Sequence, residues 1–403
     1  MKPNITVENV PGFRVSTAQA NIRDWEAPRD DLALIVADAP ATAAGVFTQS
    51  KVVAAPVKIS RRHLKATGGM ARAVLVNAGV ANACTGKTGC ENALATARRL
   101  ADRLKAPPEQ ILVASTGVIG RQLPMDRMEA GIDQAIDAPG SAGAGAFARA
   151  IMTTDTRPKH AEAGIDGFEG VVVAGACKGS GMIAPNMATM LAFILTNAAV
   201  SPKALREATR IVADETFNRA TVDGDTSTND SLFVLASGVA GAAAVDKPSG
   251  KRFERFLEGL HDVALSLAVM LVRDGEGATK LVRVRVVGAT RHRDAVTAGR
   301  TIAESPLVKT AMFGNDPNWG RIMMALGRSG VRQDESKTTV KLCGRTMFHK
   351  GRPVEFNAEE LSRLMRAPDV DIEVDLGLGD GTAEFLTCDF SYDYVRINAD
   401  YTT

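Results

Sequence analysis

The run Lys178–Val200, KGSGMIAPNMATMLAFILTNAAV, joins a lysine-bearing, glycine-rich turn to an almost wholly apolar stretch, with a threonine at the seam. Two readings compete: Thr189 begins a buried strand, or it carries chemistry. A threonine hydroxyl is a weak nucleophile unless a base takes its proton, and one solution is the residue's own α-amine. That requires the Ala188–Thr189 bond to open and make Thr189 an N-terminus. An α-amino group titrates at about 7.7–8.0, so it is partly neutral near pH 7 without special tuning. The opening can be autocatalytic: the Thr189 hydroxyl attacks the Ala188 carbonyl, the backbone shifts to an ester, and water hydrolyses it. Ala188 offers little hindrance, and the β-branch of Thr189 limits its hydroxyl to few rotamers.

Working outward, the 403 residues allow either one large α/β unit or two lobes. The net charge of +2 is small for this length, so nothing asks for nucleic acid or an anionic membrane as partner. The N-terminal MKPNITVENVPGFRVS lacks the basic start and apolar core of a secretory signal, and the apolar run Met187–Val200 is too short to span a bilayer. The expected location is the cytoplasm. Five cysteines (Cys84, Cys90, Cys177, Cys343, Cys388) show no metal-type clustering and read as reduced structural thiols. The five histidines, His63, His160, His261, His292 and His349, include no pair at metal or catalytic spacing.

Helical periodicity marks Asn92 to Lys105, Asp126 to Ile136, Pro202 to Arg219, Arg252 to Val272 and Glu359 to Met365. Strand-like runs fall at Ala73 to Asn77, Gln110 to Ala114, Gly170 to Ala176, Ser231 to Ala236, Lys280 to Val287, Thr339 to Leu342, Val370 to Leu376 and Thr382 to Asp389. Helices and strands mix without a strict βαβ beat, which favours α/β architecture in α+β layers over a plain doubly wound sheet. Three motifs fail on context. GLGDGT, Gly377 to Thr382, is followed by a strand rather than a helix and reads as a hairpin turn, not a dinucleotide loop. DGDTSTND, Asp223 to Asp230, lacks the glycine and glutamate of a calcium loop and reads as an acidic turn with local side-chain caps. The glycines beside Lys178 follow it instead of preceding it, so it is no Walker lysine.

The longer pattern is more specific. KGSGMIAPNMATMLAFI closely resembles the self-processing segment of the ornithine acetyltransferase family, the bifunctional glutamate N-acetyltransferases/amino-acid acetyltransferases of arginine biosynthesis. Further segments match in order: NAGVANACTG from Asn77, STGVIGRQLP from Ser115, IMTTDTRPK from Ile151, TVDGDTSTND from Thr221, VRDGEGATK from Val272, GNDPNWGRI from Gly314, and the C-terminal YVRINADYTT. The resemblance covers nearly the full length.

It implies stacked sheets between helical layers, cleaved into an α chain (Met1 to Ala188) and a β chain (Thr189 to Thr403) that form one integrated fold, with dimerisation to α2β2. Thr189 matches the family's nucleophile, and Thr116 and Gly117 match its oxyanion hole. Thr153, Lys178, Glu276, Asn398 and Thr403, with Thr189 itself, match its substrate-binding positions; Thr154, adjacent to Thr153, is an alternative contact. Lys178 suits a carboxylate and Glu276 an ammonium, although such residues in isolation are more often solvated or in ordinary ion pairs. The implied reaction moves acetyl from N2-acetyl-L-ornithine to L-glutamate through acetyl-Thr189, with no metal or organic cofactor. The family also includes members that take acetyl-CoA as donor. A self-cleaving N-terminal-threonine amidase or aminopeptidase, with water as acceptor, is the alternative. The polar tail NADYTT would fray on composition alone. Its match to substrate ligands implies that it folds back over the site, with SYDYVRI pinned as a strand.

Overall fold

The computed structural model describes residues 5–138, 140, 142–184, 190–241 and 244–400. One long strand, β2 (Leu32–Phe47), organises the first of two sheets. Its N-terminal half pairs with β1 (Phe13–Ala18) and β3 (Met70–Val80), and its C-terminal half pairs with β9 (Ser231–Ala236). Between them the register slips at Val36 to Ala41, where the exposed Asp38-Ala39-Pro40 interrupts the ladder. Proline has no N–H to give, so the strand bends there.

The sheet runs β4-β3-β2-β9-β7-β6-β5, with β4 (Ile111–Val118), β5 (Lys159–Gly164), β6 (Val172–Lys178) and β7 (Leu191–Thr196). The bend folds its two halves face to face. Val74, Val76, Leu112 and Ala114 of β3 and β4 share one buried cluster with Ala176, Phe193 and Phe233 of β6, β7 and β9, although those strands are far apart in strand order. Phe193 stacks on Phe233 and meets the edge of Phe147, with ring centroids 5.7 and 5.1 Å apart, an aromatic seam worth more than its buried area alone. Alternation then decides the outer faces: Ala33 and Ile35 of β2 enter the seam while Leu32 and Leu34 turn to the helices.

Helices α1 (Ala55–Ala66), α2 (Gly86–Leu104) and α3 (Met125–Asp137) cover the β1–β4 half, and α4 (Ala146–Ala150) adds Phe147 to the seam. Helices α5 (Pro202–Glu215) and α6 (Lys251–Arg273) cover the other half. Ser201 caps α5 by accepting the Ala204 N–H at 3.2 Å, and Pro202 follows at the first helical position, where no donor is missed. The result is the expected pair of stacked layers between helices.

The second sheet runs β13-β12-β11-β14-β10-β15-β8, comprising β8 (Ala220–Thr221), β10 (Leu281–Ala289), β11 (Thr339–Leu342), β12 (Arg345–His349), β13 (Arg352–Pro353), β14 (Asp369–Asp375) and β15 (Gly381–Cys388). Its apolar face packs on α7 (His292–Ala303), α8 (Pro306–Phe313), α9 (Trp319–Gly327) and α10 (Ala358–Leu364). Leu281, Leu386 and Cys388 join the cluster beneath α6, so the helix bridges both sheets. The chain ends its described part in α11 (Tyr392–Asp400).

Two local expectations are corrected. GLGDGT joins β14 to β15, but these strands lie on opposite sides of β10, so the loop crosses the end of β10 and is no hairpin turn. SYDYVRI is helical from Tyr392 on, in α11, and none of the helix's residues is buried. All five cysteines are unpaired, and burial pushes the Cys177 thiol up to about 12. No helix among the described residues is long and apolar enough to cross a membrane.

Candidate functional site

The site begins where β3 and β4 run side by side in parallel, with Gly79 opposite Gly117. Gly117 has φ +127°, and a Cβ there would lie 2.2 Å from the Gly79 carbonyl carbon. No other residue fits, because the dihedral and the space both exclude a side chain. STG thus lies near the end of the strand β4. Neighbouring side chains pin this backbone. Ser115 donates to Asn77 Oδ1 at 2.6 Å, and Asn229 Nδ2 reaches the carbonyls of Ala81 and Ser115 at 2.6 and 2.9 Å.

Lys178, at the end of β6, is only 3 % exposed and donates to Thr116 Oγ1 at 3.2 Å. An ammonium has donors only, so with Lys178 protonated the Thr116 oxygen accepts and its own hydrogen stays free to donate. Asp155 stands 3.9 Å from Lys178, takes the Lys159 ammonium at 2.6 Å, and accepts the Gly179 and Thr153 N–H groups at 2.6 and 3.1 Å. Burial pushes the Asp155 carboxyl up, but Lys178, Lys159 and the Gly179 N–H outweigh it and hold it at about 2. Burial in turn pulls the Lys178 ammonium below the ordinary lysine value, against the support of Asp155. Lys159 also meets Asp274 at 2.5 Å, so each buried charge here has an opposing partner.

These groups face a cavity of about 470 Å³. Thr116, Gly117, Thr153, Lys178, Glu276 and Asn398 all line it, bringing together six of the residues singled out from sequence. Thr154 lines it too, but its hydroxyl is engaged with Ser180 Oγ at 2.7 Å. The Thr153 hydroxyl has no such partner among the described residues, which favours Thr153 as the contact. Glu276 is fixed through its N–H to the Ser180 carbonyl (2.8 Å) and accepts from Asn398 Nδ2 at 3.0 Å. Thr189, Ala188 and Thr403 lie outside the described residues. The flank before residues 185–189 reaches the cavity at Gly181 and Met182, and on the far side Asn229, which lines it, precedes Asp230. Asp223 accepts the Met182 and Ile183 N–H groups at 2.6 and 2.8 Å, just before residues 185–189, and Asp230 accepts the Met190 N–H at 3.1 Å, just after them. Burial pushes the Asp223 carboxyl up to about 6.

Asp155, Asp223, Asp230 and Asn229 are the site residues that sequence reading missed. All four lie in quoted segments, TTDTRPK and TVDGDTSTND. The second was read as a locally capped turn, and Asp223 does accept the Asp225 N–H at 3.1 Å. Its other bonds reach across the fold, which no spacing reveals. Chemically, the cavity offers a hydroxyl and a glycine N–H side by side, a buried cation behind them, and a carboxylate on another wall. That set suits an amino acid carrying an acyl group. Among the described residues no group of three or more His, Cys, Asp or Glu side chains could hold a metal ion.

Comparison with known proteins agrees. The ArgJ family model matches residues 14–403. The arginine biosynthesis bifunctional protein ArgJ of Nitratidesulfovibrio vulgaris is 47% identical over 97% of this chain and 98% of its own. That of Thermus thermophilus is 48% identical over 97% of this chain and 98% of its own. A crystal structure of the Bacillus halodurans protein of the same name superposes with a TM-score of 0.51 at 40% identity, covering 52% of this chain and 98% of that one.

Proposed function

Because the chain belongs to the ArgJ family of arginine biosynthesis enzymes, we propose that its cavity transfers acetyl from N2-acetyl-L-ornithine to L-glutamate through an acetyl-Thr189 intermediate. The Thr189 hydroxyl attacks the acetyl carbonyl carbon while its proton passes to the Thr189 α-amine. The developing oxyanion is received by the Thr116 hydroxyl and the Gly117 N–H. The tetrahedral adduct collapses, and the α-nitrogen of ornithine leaves with that proton. Glutamate then brings its own α-amine to the acyl-enzyme, and the same steps in reverse release N-acetyl-L-glutamate. Atoms balance in each half without a metal or organic cofactor. Glu276, with Asn398 beside it, suits the ornithine side-chain ammonium; Lys178 and Thr153 suit the carboxylate end.

The observation that carries this reading is the convergence of Thr116, Gly117, Thr153, Lys178, Glu276 and Asn398 on one cavity, beside which Asp223 ties down the chain entering residues 185–189. Opening of the Ala188–Thr189 bond gives two chains that remain associated, because β6 and β7 pair along Val173–Thr196 to Lys178–Leu191. The half-length match of the Bacillus halodurans chain is what separate α and β chains in the family would give. We extend the reading to an α2β2 assembly in the cytoplasm. The word bifunctional in the relatives' names supports acetyl-CoA as a second donor.

Intact mass and kinetics test the reading together. Wild type should run as two fragments meeting at residue 189 and should turn over acetylornithine catalytically only when glutamate is present, releasing at most one equivalent of ornithine per site without it. Thr189→Ala should stay whole and inactive. Fragments in Thr189→Ala sink the self-processing account, and repeated turnover of acetylornithine without glutamate, beyond one equivalent of ornithine per site, would make the protein a hydrolase. Turnover of acetyl-CoA and glutamate without acetylornithine checks the second donor.

A further inference from the structure

Tyr394 is the only aromatic side chain among the described residues that line the cavity, and the reaction above leaves it without a task. It sits in α11, one turn before Asn398, and is tied to Glu276 from two directions. Asn398 Nδ2 donates to Glu276 Oε2 and to the Tyr394 carbonyl, each at 3.0 Å. From the other direction Gly277, next to Glu276, lets the helix come close: its φ is +69°, and a Cβ there would run into the Tyr394 nitrogen. The ring is held as well as the backbone. It stacks on Phe390 with centroids 4.6 Å apart and planes 19° apart, and the Lys309 ammonium lies over Phe390 at 4.5 Å from its centroid. Lys309 is buried and donates to Thr387 Oγ1 at 2.8 Å, so the stack is anchored in the second sheet.

A near-parallel stack covers one face of the Tyr394 ring and leaves the other face and the hydroxyl edge to the cavity. The electrostatics agree with that direction. Burial, together with Asp223, Asp225 and Glu276, pushes the Tyr394 phenol above its ordinary value, so the ring stays neutral. Those three carboxylates are all on the cavity wall. Lys178, the only cation lining the cavity among the described residues, stands instead beside Thr116. The one aromatic face of the cavity therefore belongs to its acidic side.

A carboxylate alone takes any cation that reaches it. The ornithine side chain presents two surfaces, an ammonium and an apolar stem, and an aromatic face suits both. We propose that Tyr394 is a specificity-determining residue for acetylornithine, its ring face receiving the ammonium-bearing end of the side chain beside Glu276. This rests on the reading above of acetylornithine as the donor. Glutamate carries a carboxylate on its side chain, which the negative face of a ring does not attract. Of the two substrates that share the cavity, only one gains from Tyr394.

Tyr394→Leu tests this by keeping an apolar side chain and removing the aromatic face. It should lower kcat/KM for acetylornithine about 5–30-fold, mostly through KM, as loss of a partly desolvated cation–π contact does. The kcat/KM for glutamate, which reports its own half-reaction, should move less than about 2-fold. Tyr394→Phe keeps the ring and should lose at most about 3-fold for acetylornithine. Equal losses for both substrates in Tyr394→Leu would make the ring a mere anchor for α11 and overturn the proposal, as would no loss at all. A loss in Tyr394→Phe as large as in Tyr394→Leu assigns the effect to the hydroxyl and also overturns it. Should Tyr394→Leu not fold, phenylalanines of rising fluorine content at position 394 decide, because fluorine drains the ring face while nearly preserving its shape. Efficiency with acetylornithine falling stepwise along that series, with glutamate unmoved, supports the assignment; a flat series overturns it. A wild type that does not use acetylornithine at all overturns the donor reading itself, before any variant is compared.

Discussion

The two walls of the cavity are built in opposite ways. On one side Thr116, Gly117 and Lys178 sit on strands of the doubled sheet, and the backbone there has no room to move: Gly79 and Gly117 touch, and Asn229 and Asn77 clamp the adjoining residues. On the other side α11 has no buried residue, and Tyr392 and Val395 are 85 and 67 % exposed. That helix is held by a few contacts along one edge. Phe390 stacks on Tyr394 with centroids 4.6 Å apart, Phe313 meets Tyr392 at 5.5 Å, and Ser391 donates to the Gly277 carbonyl at 2.5 Å. The contrast separates two tasks. Donors for a developing oxyanion act by being fixed in advance, whereas a wall that admits one amino acid after another can afford compliance. The rigid wall should govern kcat and the compliant wall KM.

The largest effect belongs to Gly117→Ala. Overpacking against Gly79 costs about 1–3 kcal/mol, and an alanine at φ +127° adds about 1–3 kcal/mol of backbone strain. Against a total stability of about 5–15 kcal/mol the variant should melt far below wild type and show no transfer. An unchanged melting temperature would mean that the strand contact yields easily and the wall is not rigid. Next, Thr116→Val removes one of the two proposed oxyanion donors with little change of shape. It should lower kcat by about 10²–10³-fold at similar KM; a pure KM effect in steady-state assays would move Thr116 to substrate binding.

Across the cavity the effects shrink. Glu276→Gln should leave cleavage intact and reduce kcat/KM for acetylornithine by about 10–100-fold, the worth of a charged hydrogen bond, with less effect on the glutamate half-reaction. Equal losses for both substrates would remove the proposed ammonium contact. Asp223, between the walls, gives a pH signature. Its folded value of about 6 lies above its ordinary 3.8, so between them the folded chain holds a proton that the unfolded chain has released. Stability should therefore fall as pH rises through that window, relative to Asp223→Asn, and run parallel to the variant above it. Parallel denaturant midpoints throughout would show that the carboxylate titrates normally. Smallest is Asn398→Ala, with KM raised about 2–10-fold by loss of one hydrogen bond to Glu276. A fall in kcat matching that of Thr116→Val would erase the distinction between the walls.

Much of this was legible beforehand, for identifiable reasons. Ser231–Ala236 and Thr339–Leu342 read as strands and are strands to the residue, because short apolar runs between turn residues have few alternatives. Helices α5 and α6 announced themselves by their apolar stripes. Helices α1, α8 and α9 did not: α8 is largely apolar, so no clear stripe forms, α9 is only nine residues long, and α1 carries Pro56 as its second residue, which reads as a breaker. SYDYVRI has the composition of a strand, but from Tyr392 on it forms the helix α11. In the site, the residue-by-residue resemblance found the groups facing the cavity. Asp155 and Asp230 stand behind them, and what marks them is burial beside a lysine or a particular backbone N–H. That relation exists only once β6, β7 and β9 have come together.

The pairing of β6 with β7 and of β7 with β9 has a further consequence for the life of the molecule. While the chain is continuous, those strands find one another as parts of a single polymer, and refolding is first order. A chain opened at residue 189 has its interlocked strands on two separate molecules. Thermodynamically little changes in the assembled state, but reassembly after denaturation becomes a bimolecular encounter whose yield depends on dilution, competing with aggregation of exposed apolar strands. Maturation would then act as a ratchet. The protein would retain its shape through the slowness of its unfolding rather than through the ease of its return, and a dilution series of refolding yields from cut and uncut protein would expose the difference.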